Sequence, residues 1–193
     1  MNLIWDINNA IEIYLNHFIL NNHLELLIKT FSDGPIFFLP LFLFWAWLYW
    51  TFKEKNDSKK ENILYIFYSV VVWLVFNSLL KLFIFEHRPE WIITPILSHV
   101  PDNSFPSDHA TVSFAFLSAL YLFGYKKTFW IFLPFVILMN FSRIAWWIHW
   151  FFDIIVWMSL WIISAFIIYF IQNKKCMKKL NDFILKIANL IKL

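Results

Sequence analysis

The sequence predicts an all-α protein, an integral membrane helical bundle of five to six transmembrane helices with amphipathic helices at its termini. Three observations lead there. Of 193 residues, 61% are hydrophobic and 15% charged, where a soluble domain carries nearer 25% charge, and the mean hydropathy is +0.62. Uncharged runs of membrane-spanning length recur along the chain. Lysines cluster between alternate runs rather than between all of them. At about 20 residues per crossing, this length is filled by one membrane-embedded domain, 1–193. The single cysteine, Cys176, excludes an intrachain disulfide and any paired-thiolate zinc or redox site.

Residues 7–30 mix Leu and Ile with Asn, His and Glu. They read as one or two amphipathic helices at the outer surface, with a sixth span as the alternative. Residues 1–33 carry acids and no basic cluster before the apolar stretches, so a removable signal peptide is not expected. Residues 35–52 are 18 positions without a charge, and 154–171 are another 18 broken only by Ser159 and Ser164; each is long enough to cross. Residues 63–85 are equally long but contain Asn77, Ser78 and Lys81. Residues 129–139 are wholly apolar and continue into Asn140, Ser142 and Arg143. Residues 110–123 are only 14, a length that suits a buried core helix as well as a crossing. In the C-terminal stretch, 174–193, Leu180, Phe183, Ile184, Ile187 and Leu190 recur at helical spacing among lysines. This pattern predicts an interfacial helix on an anionic leaflet.

The lysines also orient the bundle. Lys53, Lys55, Lys59 and Lys60 follow the first span, Lys126 and Lys127 the third, and six lysines from Lys174 to Lys192 the fifth. Basic residues concentrate in short cytoplasmic loops, so these segments and the C-terminus are expected inside. The connections between spans two and three and between spans four and five then face outward. Lys81, Arg88 and Arg143 lie at those outward ends, against the positive-inside bias, and need another explanation. Tryptophans such as Trp45, Trp47 and Trp50 fit an interfacial aromatic belt. His17, His23, His87 and His99 read as ordinary polar groups.

Three segments carry candidate chemistry. In the first, Arg88 follows Lys81 by seven residues, two turns along one helical face, before Pro89. An intramembrane lysine asks for a cavity or a partner, and two cations together ask for an anion; the alternative is a snorkelling lysine beside a loop arginine. The second, Pro106-Ser107-Asp108-His109, opens a span with an N-cap residue, so that free N–H groups and the positive helix end form an anion site. His109 there has the chemistry of a proton donor, or of a plain interfacial histidine. In the third, which runs from Ser142-Arg143 to His149 and Asp153, the last two are four apart and would neighbour each other on a continuous helix. A carboxylate that holds one imidazole nitrogen leaves the other free to attack.

Taken together, Lys-x6-Arg-Pro, Pro-Ser-x-His and Ser-Arg-x5-His-x3-Asp resemble the three signature motifs of the type 2 phosphatidic acid phosphatase superfamily. The resemblance implies a helical-bundle fold and a metal-independent, cofactor-free lipid phosphatase. It assigns His149 as a nucleophile forming a phosphohistidine, Asp153 as its orienting acid and His109 as general acid. Lys81, Arg88, Ser107 and Arg143 would grip phosphoryl oxygens. Asp108 stands where the family's second motif usually has Gly, and Pro-Ser-Asp-His resembles the version in bacterial undecaprenyl-diphosphate phosphatases. A carboxylate beside an anion site is unfavourable unless it points away or pairs with a cation. Trp146, Trp147 and Phe152 make the third motif unusually bulky. The expected partners are a lipid phosphate or diphosphate and the membrane itself, with no nucleic acid. Phosphatidylglycerophosphate, phosphatidic acid and lipid A phosphates are alternative substrates, and a non-catalytic head-group binding or transport protein is the alternative of another class.

Overall fold

The computed structural model describes residues 3–89, 103–146 and 148–192. Among them the regular elements are all helical: α1 (Leu3–Asn21), α2 (Glu25–Asp33), a 3-10 turn (Gly34–Phe37), α3 (Phe38–Phe52), α4 (Asp57–Leu80), α5 (Asp108–Leu122), α6 (Lys126–Ala145), α7 (Phe151–Ile171) and α8 (Lys175–Leu190). His99 and Trp147 lie outside the described residues. The runs Glu25–Phe52, α4 and α6 are long and apolar enough to cross a membrane, and α7 has 21 residues. The chain is a multi-pass membrane protein.

The first apolar helix begins ten residues earlier than residue 35, because Gly34-Pro35 does not stop it. Proline sits in the first turn of the 3-10 segment, where its missing N–H and fixed φ cost nothing. Helix α4 starts earlier than expected, where the Asn56 side chain accepts from the Lys59 N–H at 3.0 Å as an N-cap. It also stops earlier, at Leu80, so Lys81 and Arg88 do not share a helical face. The chain beyond Lys81 leaves the helix because other partners take its backbone: the Glu86 N–H donates to Asn103 Oδ1 at 2.8 Å, and the Glu86 carbonyl accepts from the Ser104 N–H at 2.8 Å.

Helix α5 is the axis of the bundle and packs on α4, α6 and α7. Its 15 residues span about 22 Å at 1.5 Å per residue, less than the roughly 30 Å hydrocarbon layer. That suffices because protein covers it: Ala110, Ser113, Ala115, Phe116, Ala119 and Leu120 are all buried, and the small residues among them admit close helix approach. Phe42, Phe116 and Phe132 meet edge to face at 5.3 to 5.9 Å between centroids. Gly124, at φ +87, ends this stretch in the left-handed conformation that glycine adopts freely, and Tyr125 N–H then reaches the Leu120 carbonyl at 2.8 Å.

The helices alternate in direction, so their ends fall into two groups. At the lysine-rich end α8 docks on α4: Tyr68 Oη donates to Asn181 Oδ1 at 2.9 Å, while Leu180, Phe183, Ile187 and Leu190 stay exposed and give α8 an apolar outer face. Trp45 is exposed, whereas Trp47 and Trp50 lie under the ammonium groups of Lys60 and Lys59. Helix α1 is amphipathic, but its polar stripe faces inward. Asn8, Glu12 and Asn16 are buried, while Leu3, Ile4, Ile7 and Phe18 are exposed. At the opposite end the ends of α2, α4 and α6 meet the starts of α5 and α7.

Candidate active site

Two polar loops and five helix termini converge here. The Asn103 side chain ties them together, accepting from the N–H groups of Glu86 and Phe105 and donating to the Ile84 carbonyl. This clamp fixes Arg88, whose Nη1 donates to the Ile148 carbonyl at 2.6 Å and whose Nη2 donates to the Asn103 carbonyl at 3.3 Å. Beside it the buried Trp150 indole donates to the His87 carbonyl at 2.8 Å. Backbone carbonyls therefore hold the guanidinium in place from two loops.

The pocket enclosed in this way has about 440 Å³ and is lined by Lys81, Arg88, Pro106, Asp108, His109, Arg143 and His149. Six of the eight residues expected from sequence share this one cavity. Lys81 reaches it from the C-cap of α4 and Arg143 from the last turn of α6, while His109 sits in the first turn of α5.

His149 is 2% exposed, and its Nδ1 lies 2.7 Å from the Ser104 carbonyl. A carbonyl only accepts, so Nδ1 carries the proton and Nε2 keeps its lone pair. Nε2 is 3.4 Å from Arg143 Nη2, at the cationic wall of the pocket. Burial, followed by the charges of Arg143 and Arg88, holds the imidazole well below its ordinary pKa, so it is neutral at physiological pH.

The expected direct contact between Asp153 and His149 does not form. Helix α7 begins at Phe151 with Trp150 as its N-cap, so His149 precedes the helix and the i,i+4 relation does not apply. Asp153 instead accepts from the Trp150 N–H at 3.1 Å and from Ser104 Oγ at 2.6 Å. Ser104 thus joins the two, with its hydroxyl on the carboxylate and its carbonyl on the imidazole. Behind them Glu86 shares a hydrogen bond with Asp153, and burial raises the Glu86 carboxyl. Burial, then the Asp153 charge, pushes Glu12 of α1 up to about 9.

Ser107 also lies behind the pocket wall. It is fully buried, and its Oγ accepts from the Ala110 N–H at 3.4 Å as the N-cap of α5. It shapes the helix start, the end of a helix that favours negative charge. Asp108 pairs with a cation: Oδ2 accepts from Lys81 Nζ at 2.6 Å and Oδ1 from Asn77 Nδ2 at 3.0 Å. Asn77 also donates to Thr111 Oγ1 at 2.8 Å.

Sequence reasoning missed Asp33. Its Oδ1 accepts from Arg143 Nη1 at 2.6 Å and lies 3.2 Å from His109 Nε2. Its 63% exposed side chain bridges a guanidinium and an imidazole, the position an anionic ligand's oxygen would take. An acid directly before the first apolar run was the available signal. Ser104 and Asn103 gave none, since their work depends on which loop lies opposite. Asn77 did, because an intramembrane amide needs a partner.

The cavity at one end of this membrane helical bundle has three cations and two imidazoles on its wall, the charge that an anion asks for. The family model of the PAP2 superfamily matches residues 62–176, more than half of the chain and all three motifs, and the chain belongs to that superfamily. It is 32% identical over 126 residues to the undecaprenyl-diphosphatase BcrC of Bacillus subtilis (strain 168), a match that covers 64% of this chain and 62% of that protein. A second relative, the bacitracin transport permease protein BcrC of Bacillus licheniformis, is 29% identical over 149 residues, 74% of this chain and 69% of that one. The fold is that of the crystal structure of a transmembrane PAP2-type phosphatidylglycerolphosphate phosphatase from Bacillus subtilis, with a TM-score of 0.67, 21% identity and coverage of 91% and 89% of the two chains.

Proposed function

We propose that the protein is a bacterial lipid diphosphate phosphatase that converts undecaprenyl diphosphate to undecaprenyl phosphate and inorganic phosphate on the extracytoplasmic face of the plasma membrane. The observation that carries this reading is the His149 imidazole, held by the Ser104 carbonyl so that Nε2 faces a pocket lined by Lys81, Arg88 and Arg143. Phosphoryl transfer is catalysed mainly by positioning and by stabilising charge on the equatorial oxygens, and three cations beside the start of α5 supply both.

In this mechanism the terminal phosphate enters between Lys81, Arg88 and Arg143 and displaces the Asp33 carboxylate from Arg143 and His109. His149 Nε2 attacks phosphorus in line as the bond to the bridging oxygen breaks, and His109 protonates that oxygen. Water, deprotonated by His109, then attacks the phosphohistidine, which releases inorganic phosphate and restores the neutral imidazole. Asp153 acts through Ser104 rather than on the ring itself. The lysine-rich loops at the opposite end of the bundle support an outward-facing site through the positive-inside bias, and the relative named undecaprenyl-diphosphatase supports the choice of substrate.

A second reading, a phosphatase of another lipid such as phosphatidylglycerophosphate, phosphatidic acid or lipid A, is favoured by the fold shared with the phosphatidylglycerolphosphate phosphatase. Phosphate release from a panel of these lipids by purified wild-type protein beside His149→Ala decides between them. Release from undecaprenyl diphosphate well above the others, abolished by His149→Ala, is the expected result. Preference for another member supports the second reading, and folded protein inactive on every member would point to a non-catalytic head-group binder.

A further inference from the structure

A second cavity lies along the middle of α6. It is an apolar groove of about 640 Å³ between the 3-10 turn with α3 on one side and α6 on the other. Pro35, Leu39, Val136 and Met139 are its buried residues, and Phe38, Ile131 and Phe135 are exposed along it. At its deep end Phe132 packs edge-on against Phe42 and Phe116. On α6 the groove follows one stripe from Met139 to Ile131, about 12 Å at 1.5 Å per residue.

Its upper end adjoins the phosphate pocket. Met139 lies one helical turn below Arg143, and Pro35 lies two residues beyond Asp33. The Asp33–Arg143 ion pair at 2.6 Å is therefore the wall between the cationic pocket and the apolar groove. Arg143 to Ile131 measures about 18 Å along the helix. An amphiphile with its phosphate at Arg143 meets the apolar groove one helical turn further along α6, once Asp33 has been displaced from Arg143.

We propose that this groove is the binding site for the hydrocarbon tail of the lipid substrate, taken up between α3 and α6. The head group comes from the lipid-phosphatase reading, on which this inference rests; the tail site rests on the groove and on its place one helical turn from Arg143 along α6. A membrane already solvates a free chain, so the groove gains selectivity from shape: a long flexible chain follows the α6 stripe, and a short one leaves it unfilled. Substrates with tails too short to pass the Asp33–Arg143 boundary make no use of it.

The test uses the full chain in nanodiscs with a polyprenyl diphosphate that carries a diazirine in its tail. After illumination, adducts are expected on the 131–139 segment of α6 and on Phe38. They should fall about tenfold in Val136→Trp, which fills the buried side of the groove, and in Ile131→Trp, whose exposed site leaves the core intact. They should persist in Ile137→Trp, an exposed α6 position outside the groove. Adducts spread over the lipid-facing helices, or insensitive to both groove variants, would overturn the proposal and leave ordinary membrane lipid as the occupant. Phosphate release from the same samples keeps the two readings apart. Groove adducts on a wild-type protein without turnover uphold the tail site and remove the phosphatase reading, whereas turnover with unaltered long-over-short tail preference in both groove variants removes the tail site alone.

Discussion

His149, Ser104 and Asp153 form a chain in which the middle residue contributes both a carbonyl and a hydroxyl. Replacing Ser104 by Ala leaves the carbonyl on Nδ1 and removes the link to Asp153, and Asp153→Ala removes the same link from its other end. Each is expected to lower kcat by about tenfold, the worth of one hydrogen bond near 1.4 kcal/mol. Because one connection is broken in both, the double variant should lose scarcely more than either single one; fully additive losses in a double-mutant cycle would show that the two residues act separately. Burial of the ring, and then the charges of Arg143 and Arg88, depress the His149 pKa, so the imidazole proposed as nucleophile stays unprotonated below the usual value of about 6.5. The acid limb of kcat/KM is therefore expected below that pH, with activity lost only as pH falls through the depressed value. An acid limb at or above it would contradict the assignment. At this scale Lys81, Arg88, His109, Arg143 and His149 were legible as pocket residues from their types and from the three motifs, although the helical faces read for Lys81 with Arg88 and for His149 with Asp153 do not form. The route from Asp153 to His149 was not, because it passes through a serine on another loop.

Among the elements, α1 departs most from expectation in its orientation. Amphipathicity was readable from residues 7–30, but periodicity does not say which face meets protein. In a membrane the polar stripe turns inward, where Asn8 Oδ1 accepts from the Phe152 N–H at 3.2 Å and satisfies one of the free donors at the start of α7. Asn8→Leu is expected to destabilise the protein by about 1 kcal/mol, the usual worth of a capping interaction, with the pocket residues untouched. Thermal unfolding in detergent reads this as a lowered midpoint, and an unchanged midpoint would contradict the role. Helix α4 carries a related lesson. Its apolar pattern runs to Phe85, and only the long-range pairing of residues 84–88 with 103–104 explains why the helix ends at Leu80. The brevity of α5, ambiguous in sequence, follows from its place at the centre of the bundle.

For the whole molecule, the alternation of lysine-rich and motif-bearing ends was legible because charge bias and helix length are summed over the entire chain. The structure separates the same two groups, with α8 at one end and the pocket at the other. Cys176, exposed at the start of α8, is the natural probe of orientation. A membrane-impermeant maleimide is expected to leave it unlabelled in intact cells and to label it after permeabilisation. A cysteine placed at exposed Phe85 in a Cys176→Ser background should label from outside, and the reverse pattern would put the pocket on the cytoplasmic face. What sequence could not supply was the Asp33 bridge and the apolar groove behind it, since both arise from the approach of α2 and the 3-10 turn to α6.

The central claim is that His149 takes the phosphoryl group onto Nε2, and the most direct measurement is rapid quenching of turnover with undecaprenyl diphosphate labelled in its terminal phosphate. The account predicts a protein-bound label, stable to base and labile to acid, that maps to His149 and is absent from His149→Ala. Label on a different residue, or wild-type phosphate release by His149→Ala, would contradict it.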